Sequence, residues 1–278
     1  MAAGSFRIGG DLEVGRIGFG AMRLPTEPEG DRKGAVGVLR RAVELGVTLI
    51  DTAHLYGAGA NEELVAEALH PYPEGVVVTT KVGVVRSSPG AEWRYEATPA
   101  SLRKQVEEGL RRLRVERIEL LQLHRIDPDT PLADQLGALG ELRDEGKIGR
   151  IGLSEVTAAE LAEARGIVDI ASVQNQYNVL DRGHEPVLEA CEAAGIAFLP
   201  WRPVAWGKAG EREEIAAVAG ELGVTATQVA LAWLLARSPV VVPIPGTASL
   251  GHLEENVGTG GVRLSAGQRR RLDGLAGA

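Results

Sequence analysis

Seven times along this chain, a short run of Val, Ile and Leu without polar alternation follows a longer stretch whose apolar residues recur every three or four positions. Runs of that kind are buried on both faces, so they belong to a parallel sheet covered by helices. GAVGVLRRAVELG leads to VTLIDTA, NEELVAEALH to GVVVTTK, and TPASLRKQVEEGLRRL to RIELLQLH. ADQLGALGELRDEGK then leads to IGRIGLSE, TAAELAEARG to DIASVQNQYN and HEPVLEACEAAG to IAFLPW; two successive helical stretches lead to VVVPIPG. The pattern predicts an α/β fold, a (β/α)8 TIM barrel, with GTGGVRLS (258–265) as its eighth strand and FRIGGDLEVGRIGFG as a short N-terminal β-hairpin turning at Gly9 and Gly10. A doubly wound sheet needs a G-x-G-x-x-G turn after its first strand, where this chain has TLIDTAHLYGAG instead.

A length of 278 residues is ordinary for such a barrel, so one domain over 1–278 is expected. Thr98 before Pro99, Thr157 with Glu160, and Ser249 are expected helix N-caps; Gly46, Gly146, Gly166 and Gly195 are expected left-handed C-caps. A net charge of -8 gives no support to a nucleic-acid or membrane-surface reading, and RKQVEEGLRRLRVER (103–117) interleaves both signs as a solvated helix face does. The single cysteine, Cys191, lies in an apolar helical stretch, which implies a buried thiol and a reducing compartment. MAAGSFRIGG is not a signal peptide and no apolar run is long enough to span a bilayer, so a cytoplasmic protein without nucleic-acid or membrane partners is expected.

Function in parallel α/β folds sits at the carboxyl ends of the strands. Those ends carry Asp51, Lys81, His124, Ser154 with Glu155, Gln174 with Asn175, and Trp201 in turn. An apolar strand has no structural need to end in Asp, Lys or His, and three successive strands do. A tyrosine is a poor acid near neutrality unless an ammonium stabilises its phenolate, so Lys81, held by Asp51, is expected to make Tyr56 a usable general acid. His124 can donate to a carbonyl oxygen and aim it, and a reduced nicotinamide is the natural hydride donor. Asp51, His54 and His124 lack the short-spaced pairs of a zinc site, so no metal is expected. No G-x-S-x-G elbow supports a serine nucleophile. A Schiff-base barrel using Lys81 as nucleophile is a further alternative. His54 itself is expected to be a loop residue or a pocket-side contact.

In order and spacing, GFGAMRL, DTAHLYG, TTK (79–81), ELLQLHRIDP, KIGRIGLSEV, SVQNQYN, PWRPVAWG, VPIPGT and HLEEN make the chain resemble the aldo/keto reductase family over nearly its whole length. The resemblance implies a barrel that binds NADPH without a Rossmann domain, reduces aldehydes or ketones, and uses Asp51, Tyr56, Lys81 and His124 as a catalytic tetrad. It places Gly20, Ala21 and Met22, with Asp51, beside the nicotinamide ribose, Ser154 and Gln174 on the carboxamide, and the Trp201 ring on the nicotinamide face. Arg202, Pro203, Val204 and Lys208 fall in its pyrophosphate loop, while Gly246, Thr247, His252, Glu255 and Asn256 fall at the adenosine phosphate.

Three departures accompany the resemblance. Glu155 replaces an asparagine beside the serine and can only accept from a carboxamide, which leaves Gln174 more of that work. Gly246 and His252 stand where basic side chains usually grip the 2′-phosphate, so NADPH is expected with NADH use open. The short C-terminal tail implies an open pocket, with Trp93 and Tyr95 as walls beside Trp201 and Trp206. A monomer acting on a small carbonyl compound is expected; a cofactor-binding regulatory subunit with little turnover is the other reading within this fold.

Overall fold

Two adjacent glycines reverse the chain almost at once: Gly9 (φ 63°) and Gly10 (φ 89°) sit in the left-handed region that favours glycine and join β1 (Ser5–Ile8) to β2 (Leu12–Gly15) as an antiparallel hairpin. In this computed structural model the described residues are 3–26, 29–88 and 91–275, with the side chains of 29–31 and of Trp206 outside the description. The chain continues through β3 (Phe19–Gly20), β4 (Leu49–Asp51) and β5 (Val77–Val82). An antiparallel ribbon of β6 (Val84–Arg86) and β7 (Trp93–Tyr95) follows, then β8 (Ile118–Leu123), β9 (Ile148–Ser154), β10 (Ile170–Gln174) and β11 (Ala197–Phe198). Seven of these form one parallel sheet in the order β11-β10-β9-β8-β5-β4-β3, with helices between successive strands.

The sheet closes through an irregular eighth stave, residues 240–245. On one side Val242 N donates to Phe198 O (2.8 Å) and Phe198 N to Val240 O (2.9 Å); on the other, Gly18 N donates to Pro243 O (2.9 Å) and Gly20 N to Pro245 O (3.2 Å). Pro243 and Pro245 offer carbonyls but no N–H, which is why the pairing runs one way and no regular ladder forms. The seam is tight enough to dictate glycine: a Cβ on Gly20 would lie 2.8 Å from Ile244 O, and one on Gly246 would lie 2.6 Å from Gly20 O. GTGGVRLS is therefore not the eighth strand. It completes the helix Leu250–Gly258, makes a 3-10 turn at Thr259–Gly261 and runs as coil to the helix Ala266–Asp273, while the true first stave is the two-residue β3 that the hairpin expectation had absorbed.

Alternation along each strand sorts the core in two. Leu49, Val77, Leu120, Ala197, Leu199, Val242 and Ile244 fill the barrel, and Ile8 and Val14 of the hairpin pack into the same cluster. The other parity, such as Ile50, Val82, Leu121, Leu123 and Leu153, packs outward under the helices. Continuing the inward parity toward the carboxyl ends brings Thr79 and Lys81, then Gln122 and His124, above the apolar plug.

Thr98, Thr157 and Ser249 cap their helices as expected, Thr157 with Glu160 in a full capping box. Gly46, Gly146 and Gly195 adopt positive φ, but Gly166 (φ −75°) does not; its helix ends in ordinary helical backbone. Cys191 is fully buried, and burial pushes its thiol up to about 12. Among the described residues no single helix is long and apolar enough to cross a membrane.

Candidate active site

Lys81 projects from β5 into the barrel with its side chain wholly buried. Its Nζ donates to Asp51 Oδ2 at 2.7 Å, Thr52 O at 2.9 Å and Tyr56 Oη at 3.3 Å, which accounts for all three ammonium protons. The second carboxylate oxygen of Asp51 accepts from Gln174 Nε2 (2.8 Å) and Gln122 Nε2 (3.3 Å), and Gln122 also reaches Thr79 Oγ1 (3.1 Å). A buried charge pair survives only when its remaining valences are filled in this way. His124 follows β8 and meets the Tyr56 ring edge to face at 6.1 Å, so Asp51, Lys81 and His124 from three strand ends converge with Tyr56 from the turn after β4.

Tyr56 reaches this point because the turn after β4 is strongly bent. Gly57, Ala58 and Gly59 all have positive φ, and a Cβ on Gly59 would lie 2.8 Å from Arg112 Cδ. Behind the turn, fully buried Glu62 accepts from Thr80 Oγ1 (2.6 Å) and Arg112 Nε (2.7 Å), and the Arg112 guanidinium lies 2.8 Å from His54 Nδ1. His54 thus has a partner and a place in the wall that fixes the tyrosine loop. It stands apart from any metal set, and among the described residues no three His, Cys, Asp or Glu side chains gather as ligands.

Burial acts against charge on each titrating member. It raises the Tyr56 phenol above its ordinary value, while the nearby Lys81 ammonium works in the expected downward direction against that rise. Burial also opposes the charge on Lys81, but Asp51 first and Tyr56 second outweigh it and leave the ammonium above its ordinary value. His124 is pushed well below the ordinary histidine value by burial, with Lys81 and Arg125 adding to the effect. The result near neutrality is a protonated phenol, a charged lysine and a neutral imidazole whose Nδ1 is buried without a hydrogen-bond partner.

A cavity of about 720 Å³ opens over these groups and runs past Trp201 to the start of the helix Leu250–Gly258. Gly20, Met22, Asp51, Tyr56, His124, Ser154, Gln174 and Trp201 line it, as do Arg202, Pro203, Val204, Gly246, Thr247, His252, Glu255 and Asn256. Three expected cofactor contacts are not brought to it. Ala21 is buried beneath the wall, where its carbonyl accepts from Asn61 Nδ2 (2.9 Å). Lys208 is exposed on the 3-10 turn Ala205–Glu211, which buried Ala209 holds from the other side.

Glu155, the third, is turned away by a positive φ of 55°. Its Oε1 accepts from Gln176 N (2.6 Å) and from the Trp201 indole N–H, and its Oε2 lies 3.7 Å from His184 Nε2. It therefore holds the Trp201 ring from behind, while the Arg202 guanidinium lies 4.7 Å from the centre of that ring. Glu155→Ala leaves the indole N–H without its acceptor and frees the ring to rotate. Nicotinamide-cofactor affinity, measured by quenching of tryptophan fluorescence, is expected to fall by about tenfold, the scale of one charged hydrogen bond; unchanged affinity would show that the ring needs no such anchor.

Trp93 and Tyr95 pack edge to face on β7 but are exposed and do not line the cavity; Trp206 lies outside the described side chains. Two residues absent from the sequence-based set belong to the site. Gln122 lies two positions before His124 and shares its inward parity, a signal that alternation alone carries. Arg125, the residue after His124, lines the cavity with its NH1 donating to His124 O (2.5 Å) and Ser154 Oγ (3.1 Å).

A closed α/β barrel whose strand ends gather a buried lysine–aspartate pair, a tyrosine and a neutral histidine over one long cleft defines a barrel-type oxidoreductase. The chain belongs to the aldo/keto reductase family, whose model matches residues 16–276. It is 44% identical to an uncharacterized oxidoreductase of Schizosaccharomyces pombe over 98% of this chain and 89% of that protein. It is 37% identical to pyridoxine 4-dehydrogenase of Escherichia coli over 99% of both. Among solved structures it resembles an aldo-keto reductase from Klebsiella pneumoniae in complex with NADPH, with a TM-score of 0.88 and 28% identity over 99% of this chain and 95% of that one.

Proposed function

We propose that this protein reduces aldehydes or ketones to alcohols with NADPH, Tyr56 acting as the general acid. The carrying observation is the single ammonium, Lys81 Nζ, within hydrogen-bond distance of both Asp51 and Tyr56. The phenol keeps its proton until a carbonyl oxygen begins to carry charge; as that proton leaves, the phenolate forms 3.3 Å from a cation already in place. Neutral His124 donates a second hydrogen bond and aims the carbonyl between imidazole and phenol.

The cleft suits a nicotinamide cofactor. Gln174 spends its amide N–H on Asp51 and Gln122, which leaves Oε1 to accept from a carboxamide, while the Ser154 hydroxyl accepts from Arg125 and retains its own proton to donate. Trp201 supplies an aromatic face, and the backbone N–H groups that open the helix Leu250–Gly258 suit a phosphate. A reduced nicotinamide supplies the hydride. His252 is the basic side chain at the adenosine end, beside Glu255, and the assignment to NADPH over NADH rests on family likeness and on the Klebsiella complex.

Neither alternative draws support from the geometry. A regulatory subunit has no use for an acid-catalytic array built around a buried ammonium, and a Schiff-base lysine must be a free amine, whereas Asp51 keeps Lys81 charged. We further take residues 1–278 as one catalytic unit, a monomer working in the reducing cytoplasm. Paired NADPH and NADH titrations, followed by loss of nicotinamide absorbance with a carbonyl panel headed by pyridoxal, test the reading. NADPH is expected to bind more tightly and to be consumed; binding of neither cofactor refutes the function, and tighter NADH binding refutes the cofactor assignment alone.

A further inference from the structure

We propose, resting on the reductase reading above, that Arg125 anchors an anionic group of the substrate, so that the preferred carbonyl compounds carry a carboxylate or phosphate. The guanidinium is half-buried in the wall of the cavity, directly after His124 and beside Ser154. Its two protein hydrogen bonds both come from NH1 and both go to neutral oxygens. Among the described residues, Nε and NH2, three of its five donors, have no hydrogen-bond partner, and neither atom is among those sealed from solvent.

Several other arginines on this protein meet carboxylates: Arg32 pairs with Glu67, Arg112 with Glu62, Arg150 with Asp11 and Arg271 with Glu221. Among the described residues, none lies within ion-pair distance of Arg125. Asp51, which lines the same cavity, is already neutralised by Lys81, and Glu155 is committed to Trp201 and Gln176. A desolvated cation without a counter-charge is costly to keep, and burial lowers the Arg125 pKa accordingly. An anionic ligand supplies the missing charge, and a guanidinium offering a fork of free N–H groups matches a carboxylate or phosphate better than any neutral partner.

The placement also selects geometry. Arg125 borders the same cavity as Tyr56 and His124 and is held beside Ser154, so the anion would sit on the wall next to the acid. It would leave Tyr56 and His124 to the carbonyl oxygen.

Two pairs of substrates differing in charge test the idea: 4-carboxybenzaldehyde against its methyl ester, and glyceraldehyde 3-phosphate against glyceraldehyde. With wild-type protein, kcat/KM is expected to favour at least one anionic member by roughly tenfold to a hundredfold, the strength of a hydrogen-bonded charge pair, with most of the difference in KM. Which pair shows it distinguishes a carboxylate from a phosphate ligand. Arg125→Met is expected to collapse the ratio toward one, and Arg125→Lys to restore part of it. Equal kcat/KM within both pairs in wild type, or a ratio that survives Arg125→Met, overturns the inference. Turnover of the neutral members keeps the reductase reading standing in that case, and turnover of none refutes that reading instead.

Discussion

Tyr56→Phe is expected to lower kcat for carbonyl reduction by about 10²–10⁴-fold, the usual contribution of a positioned acid, while the cofactor still binds. The substitution removes one oxygen atom and leaves the ring that packs against His124 and lies 5.0 Å from Lys81 Nζ. The pH profile distinguishes a lost acid from a lost wall. With the phenol raised above its ordinary value of 10.0, its acid form persists through neutrality, so reduction by the wild type should stay level and fall only as pH climbs past the raised value. The reverse oxidation needs the phenolate and should rise with pH over the same range. No break is expected near the ordinary histidine value of 6.5, because His124 is neutral well below it. A kcat in Tyr56→Phe close to wild type, or a reduction rate that collapses between pH 6.5 and neutrality, would remove Tyr56 from its assigned role.

How far the site can be foreseen depends on how local its determinants are. Asp51, Lys81 and His124 follow apolar runs, so their inward aim comes from strand parity, and the sequence carries that in full. Parity also places Gln122 under Asp51, a residue that attention to strand ends alone passes over. The barrel seam is harder. β3 has two residues, too few for any period to show, and the closing stave, legible as the apolar run VVVPIPG, pairs only irregularly because Pro243 and Pro245 have no N–H to donate while their carbonyls accept from Gly18 and Gly20.

Orientation is harder still. Glu155 occupies the expected place in the chain, but a single left-handed φ swings its carboxylate from the cofactor side to the back of Trp201. The partner of this loop histidine, His54, lies 58 residues away on the helix Pro99–Leu113, and only the folded chain brings Arg112 there. Family likeness located Arg202 and Lys208 in one loop, yet the loop turns one into the cleft and the other to solvent.

Asp51→Asn is expected to destabilise the fold by about 3–5 kcal/mol, the cost of leaving a buried charge without its partner. The change is nearly isosteric, so the loss measures charge and not a cavity, and it can be read from the midpoint of urea unfolding at constant slope. The dependence on pH should also change sign. In the wild type the folded-state pKa of Lys81 lies above the ordinary 10.5, so the pair's contribution is fully present below that value and is lost as pH rises through the raised one. In Asp51→Asn the main upward influence is gone and burial dominates, which drops the folded-state pKa below the unfolded one. The unfolded chain then binds more protons, and stability should rise with pH from neutrality toward 10.5. Adding Lys81→Met should recover much of the lost stability without recovering turnover, since the uncompensated ammonium is removed while Gln122 keeps Thr79 as an acceptor. An Asp51→Asn protein as stable as the wild type, with no rise toward alkaline pH, would mean that the ammonium is not held by Asp51 and that the charge arrangement assigned to Tyr56 has lost its foundation.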